Sequence, residues 1–185
     1  MLINMVLPGA VAAEEPFAFE YSGNFTDNRV DGKGTVRLNT SGTLTVLSGK
    51  AIVSVYILGA GGGGSQDLAQ TSASGGSGGQ QTVEVELATG TYDIVIGTGG
   101  AGKYSRSGAG TGGTGGDTSA FGYISTGGTG GTASRYGEAG EGGTPNGNAG
   151  GSGNVAGGSP NGGKSNGGSA AANSGGNGLV RITFS

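Results

Sequence analysis

The chain has 185 residues, no cysteine, no histidine and a net charge of −3. That rules out a disulfide framework and a thiolate zinc site, removes the commonest general base, and leaves nine scattered Lys and Arg where phosphate binding would need a concentrated basic patch. Glycine sets the composition apart: 48 of the residues are Gly, and all but six of them lie at or after Gly59, against an average usage of about 7%. With 32% hydrophobic residues, bunched before residue 100 and in the last seven positions, one modest core is affordable and two are not.

The first residues, MLINMVLPGAVAAEE, have the apolar run and small-residue end of a secretory signal but lack its basic n-region, so this segment is expected to be retained. Residues 1–16 are assigned as a docking segment for a neighbouring subunit or for the chain's own domain. No apolar run approaches the ~18–20 residues that span a bilayer, so no membrane span is expected.

From Phe17 the period is two. FAFEYS (17–22) places Phe17, Phe19 and Tyr21 on one face, as a strand does. NRVDGKG (28–34) is turn chemistry. TVRLNT (35–40) and TLTVL (43–47), separated by Ser41-Gly42, predict a hairpin. AIVSVYIL (51–58) is almost continuously apolar and predicts a central strand buried on both faces.

This run leads directly into Gly59, Ala60 and Gly61–Gly64. QTVEVEL and TYDIVIG alternate again, and Thr89-Gly90 between them predicts a second hairpin. GLVRITFS (178–185) returns to alternation at the far end. If that last strand joins the sheet, the glycine tract leaves and re-enters one small β-domain. The expected fold class is therefore all-β, a small β-sandwich or sheet formed by 17–97 plus 178–185, with residues 98–177 as a glycine-rich insertion. No apolar stripe at helical spacing survives inspection.

The tract itself is either a disordered linker or a structure that only glycine builds. Three features favour order. GGTGGD and GGTGGT repeat in threes, the period of polyproline II. Pairs at 157–158, 162–163 and 167–168 mark a five-residue beat. Phe121, Tyr123, Ile124 and Val155 interrupt the tract, and linkers rarely carry such residues. Helices of this kind have no internal hydrogen bonds and pack side by side only where their contacting faces lack Cβ. A polyglycine-II bundle is the expected form of the insertion.

Several motifs imitate chemistry without its context. Residues 158–165 match the phosphate-binding pattern GxxxxGK[ST], and residues 108–113 spell GxGxxG, but neither has the flanking strand and helix that such loops require. GGTGGD (112–117) is half of a calcium-binding repeat in a single copy, with Ser119 where a large apolar residue belongs. No pair of carboxylates has a spacing that implies shared work. Neither an enzyme, nor a cofactor, nor a metal site is expected. The candidate contact residues are aromatic and basic side chains set in glycine: Tyr104 with Arg106, Tyr123, and Arg135 with Tyr136. For Phe121, Tyr123 and Ile124 a small satellite core under the bundle is the preferred reading over a contact role, because their apolar bodies need burial.

The order FEYSGNFTDN, GKGTVRLNTSGTLTVLSGKAIVSVYILGAGGGG, TYDIVIGTGGAG and GGTGGDTSAFG resembles the glycine-rich tail-associated proteins of bacteriophages and prophages. The opening MLINMVLPG is similar to the starts of such proteins. The resemblance implies a virion structural protein, extracellular after release. Its partners would be other virion subunits or itself, with a host-surface receptor, a glycan or an outer protein, as the target of loops presented by the bundle. A different class consistent with the residues is a self-assembling fibre or sheath protein. A third, ice binding, would need regular Thr rows, and Thr111, Thr114, Thr126, Thr129 and Thr132 are irregular.

Overall fold

The computed structural model describes residues 15–67, 71–105, 110–150, 158, 160–161 and 173–185. The apolar N-terminal segment, Arg106, and most of the five-residue beat with its P-loop-like match lie outside them. The described residues form strands, turns and extended segments only, so no helix is long and apolar enough to cross a membrane. Among the described residues the fold is all-β, built from several sheets with no barrel.

In chain order the first strands are β1 (Ala18–Tyr21), β2 (Phe25–Asp27), β3 (Gly34–Leu38), β4 (Gly42–Ser48) and β5 (Ala51–Leu58). Then come β6 (Ser65–Asp67), β7 (Gln80–Leu87), β8 (Gly90–Ile94), β9 (Lys103–Ser105) and β10 (Gly110–Thr111). The last are β11 (Thr118–Ala120), β12 (Tyr123–Ser125), β13 (Thr132–Ala133) and β14 (Leu179–Phe184). Two antiparallel sheets dominate, one in the order β2-β3-β14-β5-β7 and the other β1-β4-β8.

They bury one common core. Val36, Leu38, Val53, Val55, Ile57, Leu87, Val180 and Ile182 come from the larger sheet, and Tyr21, Leu44, Val46 and Ile94 from the smaller. The period-two pattern of each strand supplies these residues, because alternate side chains share a face. The final strand does join the sheet. β14 lies between β3 and β5, with Ile182 opposite both Val36 and Val55.

Both predicted hairpins are corrected. β3 and β4 follow one another but belong to different sheets, and so do β7 and β8. Alternation marks a strand and its buried face, whereas the partner is chosen by packing across the core. β5 is interior in its sheet as expected, but only one face is buried along most of its length: Val53, Val55 and Ile57 point inward, while on the other face Ile52 is 63% exposed and burial begins only at Leu58, where the strand meets the glycine segment. The turn at 28–34 holds. Asp31 (φ 51°) and Gly32 (φ 76°) form the tip of a tight turn bridged by Val30 and Lys33, which joins β2 to β3.

The glycine segments pair in a different rhythm. Gly59, Gly62 and Ser65 donate their amides to the carbonyls of Gly79, Gly76 and Ala73, each at 2.8 Å. Ala60 and Gly63 donate to Gly116 (3.0 Å) and Gly113 (2.8 Å), and Gly61 and Gly64 donate to Gly176 (2.9 Å) and Asn173 (3.0 Å). Consecutive amides thus address three neighbours, and the fourth returns to the first. The carbonyls of Ala60 and Gly63 accept from Gly128 and Gly131, and those of Gly61 and Gly64 from Gly100 and Lys103. A β-ladder would alternate between two directions. The same step of three recurs where Thr126 and Thr129 donate to Thr144 and Glu141, and where Gly140 and Gly143 donate to Ser74 and Ser77. Segment 59–64 is the centre of this lattice, and every residue in it is buried.

Candidate binding surface

Segment 59–64 sets the axis of the molecule. It starts at the end of β5 and reaches β6 six residues later, a span on the order of 20 Å for extended chain. Two groups of candidate residues consequently fall at opposite ends.

At the sheet end, β11 and β12 make a hairpin with Phe121 (φ 54°) and Gly122 (φ 83°) as its two-residue turn. The hairpin is held against the core: Ser125 Oγ donates to the Ile57 carbonyl (3.2 Å), and Gln81 Nε2 donates to the Ile124 carbonyl (2.8 Å). Phe121 packs edge-on to Tyr92, ring centroids 5.5 Å apart. It is half-buried against the main core. Tyr123 and Ile124, in contrast, are exposed, Ile124 by 57%. The expected satellite core of three residues therefore reduces to Phe121 joining the principal core, because the inward position of β12 is taken by Ser125.

At the far end, β6 pairs in parallel with β9, which sets half-buried Tyr104 opposite Gln66. β10 pairs with β13 beside them. Beyond β13 the chain closes a tight loop. Thr132 and Glu138 exchange both backbone hydrogen bonds (2.8 and 2.9 Å), and the Ser134 carbonyl and Oγ each accept from the Gly137 amide at 3.2 Å. Gly137 has φ 65° and lies against the Ser72 carbonyl, where an added Cβ would approach to 2.7 Å. Thr71 ties the loop down through the Ser134 and Arg135 carbonyls (3.0 and 3.2 Å).

Arg135 and Tyr136 stand at the tip of this loop. Tyr136 is 77% exposed, and the Arg135 guanidinium lies 5.5 Å from its ring centroid. An aromatic face with an adjacent planar donor fork is suited to stack on a sugar ring and bond its hydroxyls. Of the five predicted contact residues, the fold brings Tyr104, Arg135 and Tyr136 to the far end. It separates Tyr123 from them, and Arg106 lies outside the described residues.

Other motifs resolve into structural roles. Asn161, inside the P-loop-like match, uses its amide as a surrogate peptide: Oδ1 accepts from the Gly78 amide, and Nδ2 donates to the Gly59 carbonyl, both at 2.9 Å. The GxGxxG-like stretch supplies Gly110, Gly112 and Gly113 to β10 and the glycine lattice, with no helix after them. Asp117, which ends GGTGGD, accepts from the Gly127 amide at 2.9 Å. Gln66 was missed by sequence reasoning. It is fully buried, and neither side-chain amide atom has a hydrogen-bond partner among the described residues.

Comparison of the sequence with curated proteins finds no match. The model of the glycine-rich domain matches residues 35–184, from the second residue of β3 to the end of β14. That span takes in most of the larger sheet and the whole period-three lattice, and by it the chain belongs to the glycine-rich domain family.

Proposed function

We propose that the segments pairing at every third residue are polyglycine-II helices forming an inserted bundle. On this reading the protein is a virion structural protein of a phage or prophage, tail-associated, which holds the bundle out for attachment to a host surface. The observation that carries the reading is the pairing of 59–64 with several neighbours at a step of three. A helix with three residues per turn points successive amides about 120° apart, and such helices approach closely only without Cβ. Glycine loses more backbone entropy on folding than any other residue, so a dense lattice of this kind serves a rigid support better than a tether.

The attachment end is the one bearing Arg135 and Tyr136, with Tyr104 beside it, and a surface glycan is the ligand class their chemistry fits. The test is immunogold labelling of particles from an induced producer culture, with host adsorption measured for a particle carrying Tyr136→Ala and Arg135→Ala. Label on tails and adsorption reduced at least about tenfold is the expected result. Label on separate filaments beside bare particles would instead make the chain a fibre or sheath protein. Label on tails with unchanged adsorption would leave the virion role and remove the loop from the contact.

A further inference from the structure

The larger sheet ends on β7, and this edge is open. Among the described residues β7 pairs with β5 alone, over eight residues in unbroken register. The other rim strands are shorter: β2 has three residues, β8 has five, and β1 has four with a shift of register at Ala18–Phe19. Short or bulged rims keep a sheet from adding strands, whereas a long regular one is a template for them. The Gly79 carbonyl accepts from the Gly59 amide on the β5 side at 2.8 Å, and Gln80 turns its own amide the other way, to the Pro145 carbonyl at 2.6 Å. Bonding alternates along an antiparallel ladder, so Thr82, Glu84 and Glu86 aim their amides and carbonyls away from β5. No described backbone group meets them there.

The side chains along this edge define what fits it. Thr82, Glu84 and Glu86 are exposed on the outer face, and Val83 and Val85 are half-buried on the inner one, against the core. Two copies of β7 paired about their common centre would set Glu84 against Glu84, and like charges so placed destabilise a sheet. Registers that avoid this run onto Gln80, whose amide Pro145 already holds. We propose that β7 is a docking edge for an extended segment of another protein in which apolar residues alternate with Lys or Arg. The backbone of that segment bonds to Thr82, Glu84 and Glu86 as an added strand. Its apolar residues extend the core beside Val83 and Val85, and its cations stand opposite the two glutamates. The inference is independent of whether the chain belongs to a virion.

The probe is a fluorescent peptide of alternating lysine and valine, titrated with the full chain and followed by anisotropy. Amide hydrogen exchange is measured on the free and the bound protein. Binding is expected, weaker at about 0.5 M salt, where exposed charges are screened. In the free chain the amides of Thr82, Glu84 and Glu86 should exchange faster than those of Val83 and Val85, and the peptide should slow them. Glu84→Lys with Glu86→Lys is expected to weaken binding at least about tenfold and to admit a glutamate–valine peptide instead. Thr82→Pro keeps both charges and the bonds to β5 but removes an outward amide, and should weaken binding as well. Circular dichroism verifies the fold of each variant, and if one unfolds, the exchange pattern of the wild type decides. Absence of binding, or binding that leaves exchange at Thr82, Glu84 and Glu86 unchanged, would overturn the proposal, the latter by reducing it to attraction between surface charges. So would unaltered binding by a folded variant, or protection of these amides that grows with protein concentration and no peptide, which would give the edge to a second copy.

Discussion

Arg29 is held in two ways at once. Its guanidinium makes a fork with the Asp27 carboxylate, Nη2 to Oδ2 at 2.7 Å, and lies between the rings of Phe19 (4.7 Å) and Phe184 (4.8 Å). Phe19 belongs to the smaller sheet and Phe184 to the larger, so this one side chain fastens the two together at the rim. Hydrogen bonding by Arg29 holds the Asp27 carboxyl below its ordinary value. A depressed carboxyl contributes stability that is present above its ordinary value of 3.8 and is lost as pH falls through the lower folded one. Arg29→Ala is expected to cost about 1 kcal/mol near neutrality, mostly through the rings, since an exposed ion pair contributes little. It should also flatten the loss of stability below about pH 4. Denaturant titrations of both proteins at pH 7 and pH 3 check this. An equal pH dependence in the two would show that the fork contributes nothing.

A Cβ at Gly62 would fall on the Thr129 carbonyl, a backbone group that cannot swing aside. At Gly110 the nearest atom is the flexible Lys103 Cγ at 3.2 Å. Gly62→Ala is expected to cost about 3 kcal/mol or more, at the top of the range for overpacking, and Gly110→Ala less than about 1 kcal/mol. Thermal melts of the two variants give the comparison. Equal effects would mean that the lattice yields around added volume. Fully buried Ala60 in the same segment shows that position within the lattice, as well as residue size, decides what fits.

Among the elements, β14 has the greatest consequence for the fold. It is last in sequence and central in the sheet, and it delivers Val180, Ile182 and Phe184 to the core. The chain must complete every glycine segment before this strand can be inserted between β3 and β5. Losing three buried side chains removes roughly 5–9 kcal/mol, comparable to the whole stability of a small domain at about 5–15 kcal/mol. Truncation after Gly178 is therefore expected to abolish the fold. Ile182→Ala, at about 2–5 kcal/mol, should leave a folded but weakened protein. Amide hydrogen exchange distinguishes the cases: native-like protection of β3 and β5 in the truncated chain would show that the sheet closes without its central strand. The glycine segments are the opposite kind of element. They bury almost no apolar side chain and are held by backbone bonds, with Asn161 and Asp117 supplying side-chain groups where a peptide is wanting.

Across the whole molecule, the sheets sit at one end of segment 59–64 and the Arg135–Tyr136 loop at the other, with the glycine lattice between them. Much of this was legible in the residues. Alternation in 35–38 and 179–184 marked strands with one buried face, the apolar run 51–58 marked a strand interior to its sheet, the turn chemistry of 28–34 marked a tight turn, and the return to alternation after Gly178 implied that the tract comes back to the sheet. The period of three in GGTGGD and GGTGGT has its counterpart in the hydrogen-bond step of the lattice. Other features were not legible. Neighbouring strands such as β3 and β4 separate into different sheets because alternation names a face and not a partner. The half-buried state of Phe121 and the exposure of Tyr123 depend on which side of β12 meets β5. The sequence by itself determined which residues prefer burial and which stretches lack Cβ, because both are properties of single side chains. Only the tertiary structure decided which sheet each strand enters, how segment 59–64 is surrounded, and which end Tyr136 occupies, because those depend on contacts between residues far apart in the chain.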